Sequence, residues 1–108
     1  MKKPHKDTWL NDLKKEREEL EEELRHLNAA KTDLDERIKV LEKFVDNQEG
    51  LMTMQPGLAA VHGTLAKEGR SELREKKRDL SDKQKEYQMK GQRLEFIKVL
   101  TSYIIDKE

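Results

Sequence analysis

The three histidines are the residues of this chain best suited to acid–base or metal chemistry, and their spacing supports neither. They stand at His5, His26 and His62, and no two are separated by the four residues that set two ligands on one helix face. His26 follows Glu22 by four residues, which is typical of an ion pair on an exposed helix surface. The sequence therefore predicts no metal site.

The other common catalytic groups lack the surroundings that catalysis needs. The chain contains no cysteine, which excludes thiolate ligands and cysteine nucleophiles. Its glycines match neither a Walker-type nor a dinucleotide-binding spacing, and no serine stands in a nucleophile elbow. The many carboxylates belong to charged helix surfaces, where no pocket raises a pKa for acid or base work. We therefore predict that the protein is not an enzyme and uses no cofactor and no small-molecule substrate.

The composition places these residues in a helical chain that is rich in charge. Of its 108 residues, 43% are charged, 33% hydrophobic and 5% aromatic, which is too few apolar side chains for a compact globule. Such a composition fits either disorder or long amphipathic helices, and the periodic leucines favour the helices. Lys plus Arg and Asp plus Glu both total 23, and this balance argues against a nucleic-acid or membrane-surface binder.

No apolar run in the sequence is suited to crossing a membrane. The basic residues near the start resemble the beginning of a signal peptide, but no apolar segment follows them. The most apolar stretch, residues 94–105, is interrupted by Glu95 and Lys98. Because cysteine is absent as well, we expect a cytoplasmic protein without a membrane span.

A seven-residue repeat of leucine is the strongest pattern in the chain. Leucine occupies heptad position d from Leu13 to Leu41, and position a from Leu10 to Val45 is apolar as well apart from Arg17 and Lys31. This period predicts a left-handed coiled-coil helix over residues 8–48, after an N-terminal tail at 1–7.

The second half predicts a loop, a short helix and a second long helix. Glycine and proline predict a loop over 49–57. A short helix over 58–68 follows, and Gly69 predicts a break before a long helix over 71–106. Leu73 begins a heptad repeat in this last helix that is thinner than the first.

Together these segments predict a single all-α domain, an elongated antiparallel coiled-coil helical hairpin. Residues 1–50 carry 11 basic and 14 acidic side chains and residues 51–108 carry 12 and 9, so the halves have opposite charge, which sets helix orientation. A hairpin folded near residue 53 pairs residues whose numbers sum to about 106, which places the acidic block 16–23 beside 83–90. The predicted core comprises Leu13, Leu20, Leu24, Leu27, Leu34, Ile38, Leu41, Leu73, Leu80, Tyr87, Leu94 and Ile97.

Apolar residues outside this seam predict contacts with a protein partner or with further copies of the chain. Leu51–Gln55 forms an apolar segment that either binds a partner or plugs the end of the coiled coil. Phe96–Ile105 is apolar on more than one face, which predicts either packing against Trp9 and Leu10 or an oligomer interface. The candidate partner surface comprises Met52, Met54, Leu58, Phe96, Leu100, Tyr103 and Ile104.

These observations predict a coiled-coil protein–protein interaction module that acts as a scaffold, adaptor or regulatory inhibitor, with oligomerisation. Whether the long helices pair within one chain or between chains stays open, because the charges of the first helix also suit an antiparallel dimer. A nucleic-acid-associated coiled-coil regulator is an alternative, although no dense basic helix precedes the leucine repeat. That alternative rests on the basic cluster Arg70, Arg74, Lys76, Lys77 and Arg78.

Three segments carry a resemblance to a known family: Val40-Leu41-Glu42-Lys43, the short linker helix and the stretch from Leu80 to Tyr87. Their arrangement resembles the antiparallel coiled-coil fingers of Rho-family GTPase effectors. The resemblance covers about half of the chain and rests on helix arrangement rather than on site residues. It implies that a small GTPase is the partner. Small phage or bacterial regulators that inhibit a host protein through a helical hairpin fit the same pattern.

Overall fold

The protein is a helical hairpin of two long helices. The computed structural model describes the backbone of residues 2–106 and the side chains of residues 6–106. Helix α1 spans Lys2–Met54 and helix α2 spans Ala59–Asp106, with a 3₁₀ turn at Pro56–Leu58 between them. The predicted all-α antiparallel coiled-coil hairpin is confirmed.

Helix α1 begins earlier than the sequence suggests. The prediction of a tail over 1–7 is wrong from Lys2 onward, because the helix starts there, and Met1 lies outside the described residues. Pro4 falls in the first turn of the helix. Backbone N–H groups of a first turn have no acceptor within the helix, so a proline at this place removes no hydrogen bond.

Helix α1 also ends later, so the predicted end at residue 48 is wrong, and the predicted loop over 49–57 is wrong as far as Met54, whereas residues 55–57 do lie in the linker. The helix continues through Gly50 to Met54, and no glycine among the described residues has a positive φ. A glycine inside a helix costs about 1 kcal/mol relative to alanine, and inward packing of Gln48 and Leu51 on either side offsets this cost. Gln55 leaves the helical region at φ −127° and ψ 72°, as expected for a residue before proline.

The linker reverses the chain within a few residues and satisfies its own backbone groups. The N–H of Gln55 donates to the carbonyl of Leu51 at 2.8 Å, and the N–H of Leu58 donates to the carbonyl of Gln55 at 2.9 Å. The N–H of Ala59 donates to the carbonyl of Pro56. These bonds connect α1 to α2 without an extended loop.

Helix α2 is continuous, so the break predicted at Gly69 and the separate helices over 58–68 and 71–106 are wrong. Gly69 is buried against α1. A Cβ atom at this position would lie 2.8 Å from Cγ2 of Val45 and 3.1 Å from Cδ2 of Phe44. The glycine therefore permits a close approach of two helices rather than ending one of them.

The helices pack as two units, each an antiparallel pair of helical segments. Unit 1 comprises the chain up to Ala29 together with the chain from Gln84 onward, and unit 2 comprises residues 30–83. Ile97, whose side chain is 0% exposed, lies at the centre of the apolar cluster of unit 1. The other members of that cluster are Leu13, Leu20, Leu94 and Ile104, with Leu10, Leu24 and Leu100 packed against it.

Every side chain of the predicted core is buried or half-buried. The buried ones are Leu13, Leu20, Leu27, Ile38, Leu94 and Ile97. The half-buried ones are Leu24, Leu34, Leu41, Leu73, Leu80 and Tyr87. Val45, Ala66 and Ile104 are buried as well and lie outside the predicted core.

The inward face of α2 is half polar. The residues of α2 that face α1 are spaced alternately by three and four residues. In the middle of the helix, every second residue of this series is a lysine, namely Lys76, Lys83 and Lys90. All three lysines are half-buried, with apolar residues at the positions between them. A lysine at a seam position lowers stability but restricts which partner and which register the helix accepts.

The pairing register differs from the predicted one. The acidic block of α1 does meet cations of α2, but Glu23 pairs with Lys90, which gives a sum of 113, and Glu42 pairs with Lys77, which gives 119. The predicted sum of about 106 is wrong because α1 runs further, which moves the turn from residue 53 to 55–58.

Candidate interaction surfaces

The histidines occupy the helix surface and the hairpin tip. Nε2 of His26 lies 2.9 Å from Oε1 of Glu22, and Arg25 pairs with the same carboxylate, all on an exposed surface. Among the side chains of residues 6–106, no group of three histidine or carboxylate side chains is placed to hold a metal ion. His5 lies outside the side chains that the structure describes.

His62 joins the two helices and the linker at the tip of unit 2. Its Nδ1 lies 2.7 Å from Oε1 of Gln48 on α1, and its Nε2 lies 2.9 Å from Oε1 of Gln55. Gln48 is the one buried polar residue in the described chain, with 9% of its surface exposed. Sequence reasoning does not identify this group, although the seven-residue period places Gln48 at a seam position.

Removing His62 alone is expected to destabilise the hairpin, because Gln48 would keep its buried amide without a partner. We expect His62→Leu to lower the free energy of unfolding by about 1–3 kcal/mol. The double variant His62→Leu/Gln48→Leu should recover most of this loss, since both polar groups are then gone. Urea unfolding of the wild type, both single variants and the double variant measures the coupling. Additive effects of the two single changes would contradict the pairing.

Ion pairs at the protein surface join the two helical segments of unit 1. Arg93 donates to both carboxylate oxygens of Glu16, at 2.7 and 3.1 Å, and Nζ of Lys90 lies 2.5 Å from Oε2 of Glu23. The hydrogen bond from Arg93 lowers the pKa of Glu16, against a smaller opposing effect of burial. The hydrogen bond with Glu23 raises the pKa of Lys90. Because exposed pairs contribute little to stability, their main effect is to fix which residues face each other.

Exposed apolar side chains form a row on α2 in unit 1. Met89, Phe96 and Tyr103 are seven residues apart and are 69%, 52% and 58% exposed, and Val99 between them is 61% exposed. We call these four residues the C-terminal stripe. The guanidinium carbon of Arg93 lies 5.3 Å from the centre of the Phe96 ring, which orients that ring on the helix surface.

Two residues of the predicted partner surface belong to the core instead. Ile104 is 6% exposed and lies in the apolar cluster of unit 1, and Leu100 packs against that cluster from a half-buried position. Both contact the apolar cluster of unit 1, whereas Phe96 and Tyr103 lie beside them on the exposed part of the helix. The sequence predicts that this segment is apolar on several faces but does not separate its inward face from its exposed face.

The predicted partner residues near the linker are exposed to different degrees. Met54 is 79% exposed, Leu58 is 51% exposed and Met52 is 37% exposed. Cε of Met52 packs over the α2 backbone, 3.3 Å from where a Cβ of Gly63 would stand. Met52 therefore takes part in the contact between α1 and α2, which agrees with the alternative that this segment plugs the end of the coiled coil. Met54 and Leu58 are exposed where a partner could contact them.

Ion pairs mark one edge of the helix pair in unit 2. Nη1 of Arg70 lies 2.8 Å from Oε1 of Glu49, and Nζ of Lys77 lies 3.8 Å from Oε2 of Glu42. On both helices these residues directly follow heptad position d, at position e. In an antiparallel pair, e residues face e residues, so residues at position g, directly before position a, lie along the opposite edge. We call that opposite side the groove edge.

Apolar side chains follow one another along the groove edge, from the linker back to Val40. They are 36% to 67% exposed and are not covered by the seam between α1 and α2. Phe44 and Leu65 stand at heptad position g, and Leu58 precedes Leu65 by seven residues. Val40 and Val61 stand at the neighbouring position c. We call this set the tip face: Val40, Phe44, Leu58, Val61 and Leu65.

A groove between the two helices continues from the tip face along the same edge. One stretch of about 380 Å³ contains Val40 and Leu41 and the charged residues Asp33, Glu36, Arg37, Glu72 and Lys76. An adjoining stretch shares Asp33 and is lined further by Ala30, Leu34, Asp79, Asp82 and Lys83. The groove is therefore lined by two seam leucines and by charged residues, of which five are carboxylates and three are cations.

The basic cluster that suggested nucleic-acid binding is largely engaged within the protein. Arg70 and Lys77 pair with carboxylates of α1, and Lys76 lies 3.2 Å from Glu72 on its own helix. Phosphate binding requires cations that are free to replace counterions along a nucleic acid. The pairing within unit 2 leaves only Arg74 and Arg78 of that cluster without a carboxylate partner among the described residues.

Within the described part of the chain, neither helix contains a stretch apolar enough to cross a membrane. The chain was also compared with known protein families, with curated proteins and with solved structures. None of the three comparisons finds a match.

Proposed function

We propose that this protein is a coiled-coil protein–protein interaction module, which acts as a scaffold, adaptor or regulatory inhibitor and assembles with copies of itself through the C-terminal stripe. The observation that carries the proposal is the heptad spacing of Met89, Phe96 and Tyr103 on the exposed side of α2. Isolated apolar residues on a surface are ordinary, but a row of large ones in a chain with only 33% hydrophobic residues indicates an interface.

The helix pairing within the hairpin supports assembly through this row rather than through the leucine repeat of α1. Leu13 and Leu20 are already buried within unit 1 against Leu94 and Ile97 of α2. A dimer built on the α1 leucines would have to open the hairpin and expose Ile97. The C-terminal stripe, in contrast, is available while the intramolecular core stays intact, and two stripes packed face to face would bury large side chains at heptad spacing.

Binding rather than catalysis fits the distribution of polar groups. The carboxylates and cations of unit 1 that approach each other, such as Glu16 and Arg93, lie in exposed pairs between helices. Acid–base or nucleophilic chemistry needs side chains that converge in a sheltered site, which a helix pair seldom provides. Nucleic acid is the weaker candidate for a partner, because Arg70 and Lys77 are held by carboxylates of α1.

Size-exclusion chromatography with in-line light scattering, over a range of protein concentrations, tests the proposed self-association. We expect a mass above that of the 12.8 kDa chain, which falls toward the monomer on dilution. The double variant Phe96→Ser/Val99→Ser should remain monomeric at every concentration while keeping its helical circular dichroism. A matched variant, Leu58→Ser/Val61→Ser, removes equally exposed apolar residues from unit 2 and should leave the mass distribution unchanged. A wild-type protein that stays monomeric throughout would rule out assembly through the stripe.

A further inference from the structure

The groove edge of unit 2 carries a second interaction surface, distinct from the stripe used for self-association. We propose that the tip face and the groove bind an amphipathic helix of another protein, one with a row of apolar residues flanked by Lys and Arg. The bound helix would lie between α1 and α2 as the third helix of a local bundle. Its apolar residues would contact the tip face and Leu41, and its cations would face Asp79 and Asp82.

The apolar part of this surface has the spacing that a helix in a groove requires. Leu58, Val61 and Leu65 follow one another at intervals of three and four residues, and Val40 and Phe44 on α1 are four residues apart. The two rows follow one another along the groove edge, so a helix that lies lengthwise in the groove, with anchors at the same spacing, would contact first one row and then the other. Leu41 and Leu73 are only half-buried, because the hairpin offers a single helix to cover each seam leucine.

The charged part of the surface determines which kind of helix fits. The two groove stretches contain five carboxylates and three cations, so the groove is net negative. Arg37 lies 2.8 Å from Asp33, and Lys76 lies 3.2 Å from Glu72, so two of the cations are already neutralised. Within the part of the chain that the structure describes, the remaining carboxylates form no ion pair: Glu36, Asp79 and Asp82.

The acidic character continues along the same side of α2. Every residue at heptad positions c and g from residue 68 to residue 82 is acidic, namely Glu68, Glu72, Glu75, Asp79 and Asp82. The opposite side of this helix carries the basic residues that face the carboxylates of α1. A helix whose two sides differ in this way presents one sign of charge beside an apolar face, and it selects a partner of the opposite sign.

A second copy of this chain is a poor occupant of the groove. Two grooves packed face to face about a twofold axis would bring Asp79 and Asp82 toward carboxylates of the other copy, which is repulsive. The C-terminal stripe does not supply the missing basic flank either. Arg93 lies beside Phe96 but is held by Glu16. The charged residues at the two outward heptad positions beside the stripe are Lys85, which is basic, and Glu95 and Asp106, which are acidic. The occupant is therefore a helix from a different protein.

A synthetic peptide tests the proposal. The probe is a helix of about 18 residues, long enough to fold on binding, with leucine at heptad positions a and d and lysine elsewhere. The control peptide has the same sequence with glutamate in place of every lysine. Fluorescence anisotropy with the labelled peptides, at a protein concentration where light scattering gives the monomer, should show saturable binding of the lysine peptide alone. Added salt should weaken that binding.

Two pairs of variants locate the site. Val61→Ser/Leu65→Ser should weaken binding at least about tenfold, and Phe96→Ser/Val99→Ser, equally apolar and on the same helix, should not change it. Asp79→Asn/Asp82→Asn should weaken binding several-fold and reduce its salt dependence, whereas Arg74→Gln/Arg78→Gln on the other side should not. Circular dichroism confirms that each variant is folded, and the aspartate pair tests the site even if the apolar variant unfolds.

Three results would overturn the proposal. The first is a wild-type protein that fails to bind the lysine peptide or binds the glutamate peptide equally well. The second is unchanged binding by the folded Val61→Ser/Leu65→Ser and Asp79→Asn/Asp82→Asn variants. The third is a dimer that dissociates on Val61→Ser/Leu65→Ser, because the groove would then hold a second copy. None of these depends on the stripe, so failure of self-association through Phe96 and Val99 is a separate result.

Discussion

Ile97→Asp is expected to abolish the cooperative folding of this protein. Ile97 is 0% exposed at the centre of the unit 1 cluster, so the change removes a buried aliphatic side chain and introduces a carboxylate among leucines. The lost packing alone costs about 2–5 kcal/mol. Burying a polar group without a partner adds further destabilisation. Together these approach the whole stability of a small domain, which is about 5–15 kcal/mol. Far-UV circular dichroism during heating should show little helix and no sharp transition.

Val99→Asp is the matched control, because it makes the same kind of change two residues further along α2. Val99 is 61% exposed, and surface substitutions of this type change stability by only about 0.5 kcal/mol. The control variant should therefore unfold near the wild-type temperature, compared at a concentration where both are monomeric. If Ile97→Asp kept the helicity and the transition of the wild type, the assignment of the unit 1 core would be wrong.

Gly69→Ala should destabilise the hairpin although alanine is the better helix former. Helix propensity alone favours alanine by about 1 kcal/mol. The new methyl group would, however, stand 2.8 Å from Cγ2 of Val45 and 3.1 Å from the ring of Phe44. Val45 in particular cannot withdraw easily, because it is stiff at χ1 and buried in the seam. Overpacking of this kind costs about 1–3 kcal/mol, so we expect a net loss in a chemical denaturation series.

Gly50→Ala, in the same unit, separates the effect of helix propensity from the effect of overpacking. A Cβ at Gly50 has no neighbour within 4 Å, so only helix propensity acts, and this variant should be stabilised by about 0.5–1 kcal/mol. The two glycines lie in opposing helices of one pair, so the same unfolding experiment reports on both. A stabilised Gly69→Ala variant would mean that the helices can separate slightly at this point without loss.

The leucine repeat is sufficient to predict the seam of α1, because a strict seven-residue period is compatible with few structures besides a coiled coil. The same reasoning is less complete for α2. Lys76, Lys83 and Lys90 are spaced as seam residues, but lysine is so common on exposed faces that its period gives only a weak signal. Ala66 escapes prediction for a related reason, since a small residue can be fully buried without appearing hydrophobic in a periodic pattern.

Glycine accounts for most of the errors in helix boundaries. Sequence reasoning places helix ends at Gly50 and Gly69, because an end is what glycine most often marks after a periodic segment. A single sequence does not distinguish that role from tolerance at an exposed position, as at Gly50, or from the close approach of a second helix, as at Gly69. Pro56 is the more reliable signal, because a proline beyond the first turn of a helix removes a backbone hydrogen bond and ends or bends the helix.

The candidate surfaces are predictable in location but not in detail. The sequence indicates apolar residues near the linker and near the C-terminal end of α2, and both regions do carry exposed apolar side chains. The groove edge is not predictable in this way, because it depends on which edge of each helix carries the ion pairs. Once Glu42 and Lys77 are known to face each other, the acidic side of α2 follows from heptad spacing alone.

The contact of His62 with Gln48 has a consequence for how the chain finds this structure. These residues are 14 positions apart in sequence, whereas Arg93 and Glu16 are separated by 77. The entropy lost on closing a loop rises with its length, so the pairs beside the linker form at the lowest entropic cost. Closure that starts there also sets the right partner for every later residue. Lys76, Lys83 and Lys90 of α2 are seven residues apart. If the helix ends far from the linker met first, a carboxylate such as Glu23 could pair with the wrong lysine equally well.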